Sequence, residues 1–547
     1  MKSLSIRYGV AAMAFAAGVL CSSCINKNQS LGESMIPDNQ MYNIYTAEFP
    51  IEDIEQEMAD SLSRYSMYKF TFGAVKDETF GLTTRTAAFT LVPVNDTLDF
   101  GKNARFRQFH LSAVSDSVSY ADPSQAYILQ NVNVYELEKP IDYTKLNPEL
   151  AYTKKRITDG VPVYTGTDSL SIDFSQEFGE KYMTITNADL DTITNYKKRF
   201  PGIVISTDEP TGFGGRINMF RLPIAVSDGS IYGSYAELKI TADYGSRTAV
   251  DTSFLFYLGP LQLYDLAGVT STSVTSQTQI AYDQTTHSSK SLAGKADEKV
   301  LMEGGCGLKP VIKAKPLREK ILEIISRYTD DPKSAVVSKA TIELPFEFPD
   351  DYTSMYQFPI AVSPTCRIAT DTSVTFAGIT DSSVSDENQG DINRSKCEYA
   401  PDITHHIQEV IKLKDDSKID NYDIWLLAMA TETIASSSSS SSSYDDDYYQ
   451  QLMYYNYYNS MYNGYGYGGY GYGGYGSYGY NSLYNNYYNY AMLQSMYSSS
   501  SSSSSGSTSE TSMMDNHRYY RAVLNGPGAE KNRPMFRITF AVPKSAE

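Results

Sequence analysis

Short runs of β-branched and aromatic residues, bounded by Asn, Asp, Gly or Pro, recur along most of this chain, and they restrict the fold more than any other feature. Tyr68-Lys69-Phe70-Thr71-Phe72, Ala87 to Val94, Ala104 to Leu111, Ile128 to Leu137, Gly202 to Ser206 and Tyr235 to Ile240 all have this form. In the fourth run Val132 and Val134 alternate with Asn131 and Asn133. That period of two marks an antiparallel strand with one apolar and one polar face. Helical periodicity is scarce. It predicts helices only near Asp191 to Arg199, Pro316 to Tyr328 and Asp402 to Lys412, the last two with isoleucine-rich stripes. Many short strands with closely spaced turn signals predict a mainly β protein of sandwich or jelly-roll type, with a few short helices.

The 547 residues suffice for more than one such body. Segment 270–297 is rich in Ser, Thr and Gln and weakly periodic. It predicts a linker over 246–300 between an N-terminal β-sandwich at 41–245 and a C-terminal β-rich domain at 301–547. Val336 to Phe346, Tyr422 to Ala430, Tyr520 to Leu524 and Met535 to Val542 supply strands to the second body, and Trp425 is expected in its core.

The second body is interrupted by a biased insert, expected at 435–512. Two serine runs flank a Tyr/Gly/Asn centre, and no Lys or Arg occurs from 419 to 517. Ser and Gly make the backbone costly to order, and few aliphatic residues offset that cost, so the insert is expected to be a disordered loop. Tyr465, Tyr467, Tyr470, Tyr472 and Tyr475 are its expected partner-contact residues, through ring stacking on sugars or on proteins.

The first 23 residues read as an export signal. Lys2 and Arg7 precede the apolar run Val10 to Leu20, which is shorter than the ~20 residues needed to span a bilayer. Ser22 and Ser23 then supply the small side chains a lipoprotein peptidase requires before Cys24. Cys24 is the expected lipidation site. Residues 24–40 follow as a polar tether. Ile25 carries no inner-membrane retention signal, so an outer membrane is expected, with the cell surface favoured over the periplasmic face.

Charge excludes one class of partner. Lys and Arg total 46 against 64 Asp and Glu, a net charge of −18. So acidic a chain is repelled by phosphate backbones, and no nucleic-acid binding is expected. Cys306, Cys366 and Cys397 allow at most one internal disulfide, and none forms a Cys-x-x-Cys pair. The five His are scattered, and His405 and His406 diverge by ~100° on a helix. No nucleophile elbow, zinc-protease, phosphate-loop or calcium-loop motif occurs. No catalytic, cofactor-binding or metal-binding residues are predicted, and an enzyme is not expected; hydrolysis by a carboxylate pair is the one activity left open.

Several segments resemble, in order, a family of Bacteroidota outer-membrane lipoproteins of unassigned function, domain of unknown function 4270. They are Leu31 to Pro37, Phe72 to Gly81, Val132 to Leu137, Gly304-Gly305-Cys306-Gly307-Leu308-Lys309, Ser338 to Leu344, Ile403 to Gln408, Arg521 to Leu524 and Arg537 to Phe540. The resemblance spans nearly all of the expected mature chain outside the insert. It implies a lipid-anchored, β-sandwich protein and transfers no catalytic residue. Two functions are expected from these features. The first is a non-enzymatic interaction or assembly component, accessory to outer-membrane barrels. The second is a glycan-binding or adhesive module that uses the tyrosine-rich insert.

Overall fold

A computed structural model describes residues 41–544, apart from 261–278, 436–507 and several shorter loop stretches. The expected export signal, the tether with Cys24, and Tyr465, Tyr467, Tyr470, Tyr472 and Tyr475 lie outside the described residues. Strand accounts for 50% and helix for 17%, so the fold is mainly β, as the periodicity predicts.

Two antiparallel sheets form the first sandwich. One runs in the order Tyr152–Arg156, Gln130–Leu137, Ile203–Thr207, Gly81–Phe89, Lys69–Asp77, Gly214–Arg221 and Tyr120–Ala121, with Ala281–His287 also paired to Gly81–Phe89. The other runs Leu170–Asp173, Lys102–Ala113, Tyr235–Tyr244, Arg247–Leu258 and Leu91–Pro93. Phe70, Phe72, Val134 and Ile203 from the first meet Phe109, Leu238 and Phe256 from the second in one buried cluster. Burying each such side chain contributes ~1.5–3 kcal/mol. The alternation around Val132 and Val134 is thus a core face. Asn131 and Asn133 on the other face both donate to Asp208 at 2.7 Å.

The second sandwich pairs Tyr42–Pro50, Met535–Pro543, Val336–Pro345, Glu398–Tyr399 and Ile392–Asn393 in one sheet. The facing sheet runs Gly294–Lys295, Ile54–Met58, Leu308–Ile312, Ile424–Ala435, Ala361–Ala369 and Val374–Gly378. Ile342, Phe536 and Ile538 pack against Ile54, Ile312, Val362 and Leu426. Helices Ala314–Ile325 and Thr404–Lys412 add Ile321, Ile325, Ile407 and Ile411 to the same core. The first of these starts before Pro316 because the Asp423 carboxylate accepts the Ala314 N–H at 2.9 Å. Tyr328 lies past its end and stacks on Tyr45, ring centroids 4.0 Å apart. The helix expected near Asp191 is Ile193–Arg199, capped by the Thr192 hydroxyl. Trp425 is buried, although it packs against Phe376 on the face away from the main cluster.

The pairing redraws the expected boundaries. Tyr42–Pro50 and Ile54–Met58 belong to the second sandwich, through register pairs such as Thr46 with Thr539 and Gln56 with Pro310. Of the segment expected as a linker, 261–278 lies outside the described residues, and most of the described remainder is strand. Arg247–Leu258 forms a hairpin with Tyr235–Tyr244, and Ala281–His287 pairs with Gly81–Phe89. The insert is also shorter than expected. Ile424–Ala435 pairs antiparallel with Thr508–Met514, Ala435 facing Thr508, so 508–512 is strand and residues 436–507 connect two neighbours in one sheet. The run Ala87 to Val94 is two strands, not one. It breaks at Thr90, whose hydroxyl donates to the Pro201 carbonyl, and the chain there passes from one sheet to the other.

Candidate functional site

A cluster of charged and polar side chains lies at the seam of the two sandwiches. Thr71, Thr83, Arg85, Asp283 and His287 come from strands of the first; Glu303, Lys309, Asp515 and Tyr519 come from the second. The turn Gly304 to Gly307 organises it. Gly305 takes φ +56°, a conformation that favours glycine. A Cβ on Gly304 would sit 2.0 Å from Asp515 Oδ2, so that carboxylate reaches the turn only over a bare backbone.

Glu303 is fully buried at the centre. Its Oε1 accepts the Tyr519 hydroxyl at 2.7 Å and lies 3.3 Å from His287 Nδ1. Its Oε2 accepts the Ser289 hydroxyl at 2.5 Å and the Leu308 N–H at 3.2 Å. Burial alone would push this carboxyl up, but the His287, Ser289 and Tyr519 contacts outweigh it and hold Glu303 at about 2. The Thr83 and Tyr519 hydroxyls are 2.6 Å apart, which ties the first sandwich into the network.

Lys309 is buried with its three ammonium protons committed. Nζ donates to the carbonyls of Glu303, Gly305 (2.9 Å) and Gly307 (3.3 Å), pinning the glycine turn from inside. Burial lowers this amine to about 8 against the opposing pull of Glu303, Cys306 and Asp515. Asp515 closes the other side, accepting the N–H groups of Arg518 (2.8 Å), Tyr519 (3.1 Å) and Tyr520 (2.5 Å). Arg521 pairs with Asp77, the residue that also caps the turn before Gly81 at Thr79 and Phe80.

The chemistry of this cluster is cohesive. Both oxygens of Glu303 are engaged by fixed donors. The Gly304 to Lys309 segment and the Phe72 to Gly81 turn, both singled out in the sequence, meet here. The sequence did not single out Glu303, Tyr519 or Asp515, because nothing local marks a carboxylate that will be buried by strands more than 200 residues away.

The remaining histidines and cysteines are separate from the cluster or peripheral to it. His406 is buried on the helix Thr404–Lys412, its Nε2 donating to the Tyr422 carbonyl at 3.0 Å, and burial lowers it to about 4. His110 pairs with Asp173 at 2.9 Å. Cys306, Cys366 and Cys397 are free thiols; Cys306 Sγ accepts from Arg64 Nε at 3.3 Å. Among the described residues, no group of three or more His, Cys, Asp and Glu is placed to hold a metal ion, and no helix is long and apolar enough to cross a membrane.

One surface feature stands out from the buried seam. Phe348, Tyr352 and Tyr356 are exposed to 61%, 60% and 65%, within a single loop that also carries Asp350 and Asp351. The Tyr352 and Tyr356 rings stand edge to face, centroids 6.4 Å apart, and Asp351 caps the Thr353 N–H at 2.9 Å, which fixes the short 3-10 turn beneath them.

Fold and site together define a class: a mainly antiparallel β protein of two sandwiches, joined by a buried ionic seam and presenting an exposed aromatic loop. No family model, curated protein or solved structure matches this chain.

Proposed function

We propose that this chain is a lipid-anchored outer-membrane protein, displayed at the cell surface, that acts as a non-enzymatic interaction or assembly component accessory to outer-membrane barrel complexes. The observation that carries an interaction role is the aromatic loop. Three large rings exposed within nine residues are unusual on a surface with no partner, and Tyr and Phe are enriched where proteins meet. The anchor rests on the Ser22-Ser23-Cys24 sequence and on the segment resemblance to the Bacteroidota lipoprotein family.

Affinity purification from detergent-solubilised membranes tests the proposal. A membrane barrel protein co-purifies with the wild-type chain and is lost with F348A/Y352A/Y356A. Recovery of the wild-type protein alone contradicts the proposal.

A glycan-binding role is the second reading, favoured by the exposed Tyr352 and Tyr356 rings in a loop that also carries Asp350 and Asp351, a mix of apolar and polar groups that suits the CH and OH surface of a sugar. Tyr465, Tyr467, Tyr470, Tyr472 and Tyr475 of the insert would extend that surface. Binding on a glycan array that disappears in the same triple variant, or on deletion of 436–507, supports this role, and an array without signal removes it.

A further inference from the structure

Beside the buried seam is a recess of about 20 Å³, lined by Arg64, Arg85, Asp283, Cys306 and His517 among others. It has room for a single water molecule, which needs roughly 10–15 Å³ by the same measure. Among the atoms of its lining residues, Arg85 Nε, Asp283 Oδ1 and His517 Nδ1 are buried with no hydrogen-bond partner. Two of the three side chains are anchored through other atoms. Asp283 Oδ2 accepts both the N–H and the hydroxyl of Thr71, at 3.0 and 2.7 Å. Arg85 Nη1 donates to Thr71 Oγ1 and to the His517 carbonyl, at 3.3 and 3.0 Å. Arg85 and Asp283 are therefore held in place with Nε and Oδ1 left over, and the His517 backbone is tied to Arg85. An unpaired buried polar atom is costly, so three around one recess are a strong demand for a ligand.

The three atoms specify that ligand. The guanidinium Nε offers a proton; the Asp283 oxygen, when its carboxyl is ionised, and the His517 nitrogen, in the tautomer protonated on Nε2, each ask for one. An anion would satisfy Arg85 and be repelled by Asp283. A cation would satisfy Asp283 and be repelled by Arg64 and Arg85. A neutral molecule with one acceptor site and two donor protons meets all three. We propose that this recess is a binding site for one ordered water, which accepts from Arg85 Nε and donates to Asp283 Oδ1 and His517 Nδ1. Three hydrogen bonds are the usual complement of a buried water. Arg85 and Asp283 belong to strands of the first sandwich, and His517 follows the strand Thr508–Met514 of the second. The water thus bridges the two bodies.

A crystal structure of the protein at better than 1.8 Å tests the site. Supporting density is one peak within 3.2 Å of Arg85 Nε and Asp283 Oδ1. An empty recess, a peak identified as an ion by its anomalous signal or coordination, or a direct Arg85 Nε to Asp283 Oδ1 contact overturns the proposal. Magnetic relaxation dispersion in solution gives an independent count of long-lived waters. Asp283→Leu is expected to lower that count by one, and an unchanged count in a folded variant overturns the assignment. If D283L does not fold, the wild-type density decides alone.

Discussion

The Tyr519 hydroxyl donates to Glu303 Oε1 at 2.7 Å, joining a loop near the C-terminus to the end of the strand Lys299–Glu303 with neither side chain exposed to water. A second bond carries that contact across the seam, because the same hydroxyl is 2.6 Å from Thr83 Oγ1 in the other sandwich. Tyr519→Phe keeps the ring and removes both bonds. It is expected to cost roughly 2–4 kcal/mol, since a buried carboxylate loses a donor. Urea denaturation measures this, and a variant as stable as the wild type would show that the seam is not cohesive.

Gly304 has no tolerance for a side chain. Gly304→Ala would drive its Cβ into the Asp515 carboxylate, which is fixed by three backbone N–H groups. The expected outcome is a loss of about 1–3 kcal/mol or failure to fold, read as a fall in thermal midpoint. Gly212, where an added Cβ meets nothing, is the control: Gly212→Ala should leave the midpoint within a degree or two.

Two buried groups give opposite pH dependences. Burial lowers His406 from 6.5 to about 4. The unfolded chain then binds the proton more readily, so this contribution is complete above pH 6.5 and is lost as pH falls towards 4, by on the order of 3 kcal/mol. His406→Phe should flatten the stability profile over that interval while lowering its plateau, because the Tyr422 carbonyl loses its donor. An unchanged slope would contradict the assignment.

Asp283 behaves in the other sense. Burial raises it from 3.8 to about 7 despite Thr71 and Arg85. The folded chain holds that proton more tightly, so stability from this group is greatest below pH 4 and declines as pH rises to 7. Asp283→Asn cannot ionise. Its cost relative to wild type is expected to shrink between pH 4 and pH 7, measured by denaturant titration at each pH, and a cost that grows would reverse the sign.

The register Ala435 to Thr508 predicts that the insert is dispensable for folding. Replacing 436–507 by Asn-Gly should leave the thermal midpoint at or slightly above the wild-type value, because closing a shorter loop costs less entropy. Loss of the folded state would mean that the insert supports the sheet.

The sequence made the local elements legible and left the long-range ones hidden. Val132 and Val134 revealed their strand because burial on one face imposes a period of two, and Ile321 and Ile325 revealed their helix in the same way. Nothing near Tyr42 indicates that its strand pairs with Met535–Pro543, since that partner is chosen by a shared core around Phe49 and Phe536, not by neighbours in the chain. The same limit concealed Ala281–His287, whose polar composition suits a linker as well as a half-exposed sheet, whereas Phe254 to Leu258 was an apolar strand signal within the expected linker. It also concealed the seam. Gly304, Gly305 and Lys309 were visible as a motif, but Glu303, Asp515 and Tyr519 gain their roles only when the two sandwiches meet.

The most direct test of the account is the intact mass of the protein extracted from membranes. It predicts a chain beginning at Cys24 and heavier than its polypeptide by a diacylglyceryl group and a further acyl chain. An unmodified polypeptide recovered from the aqueous fraction would contradict it.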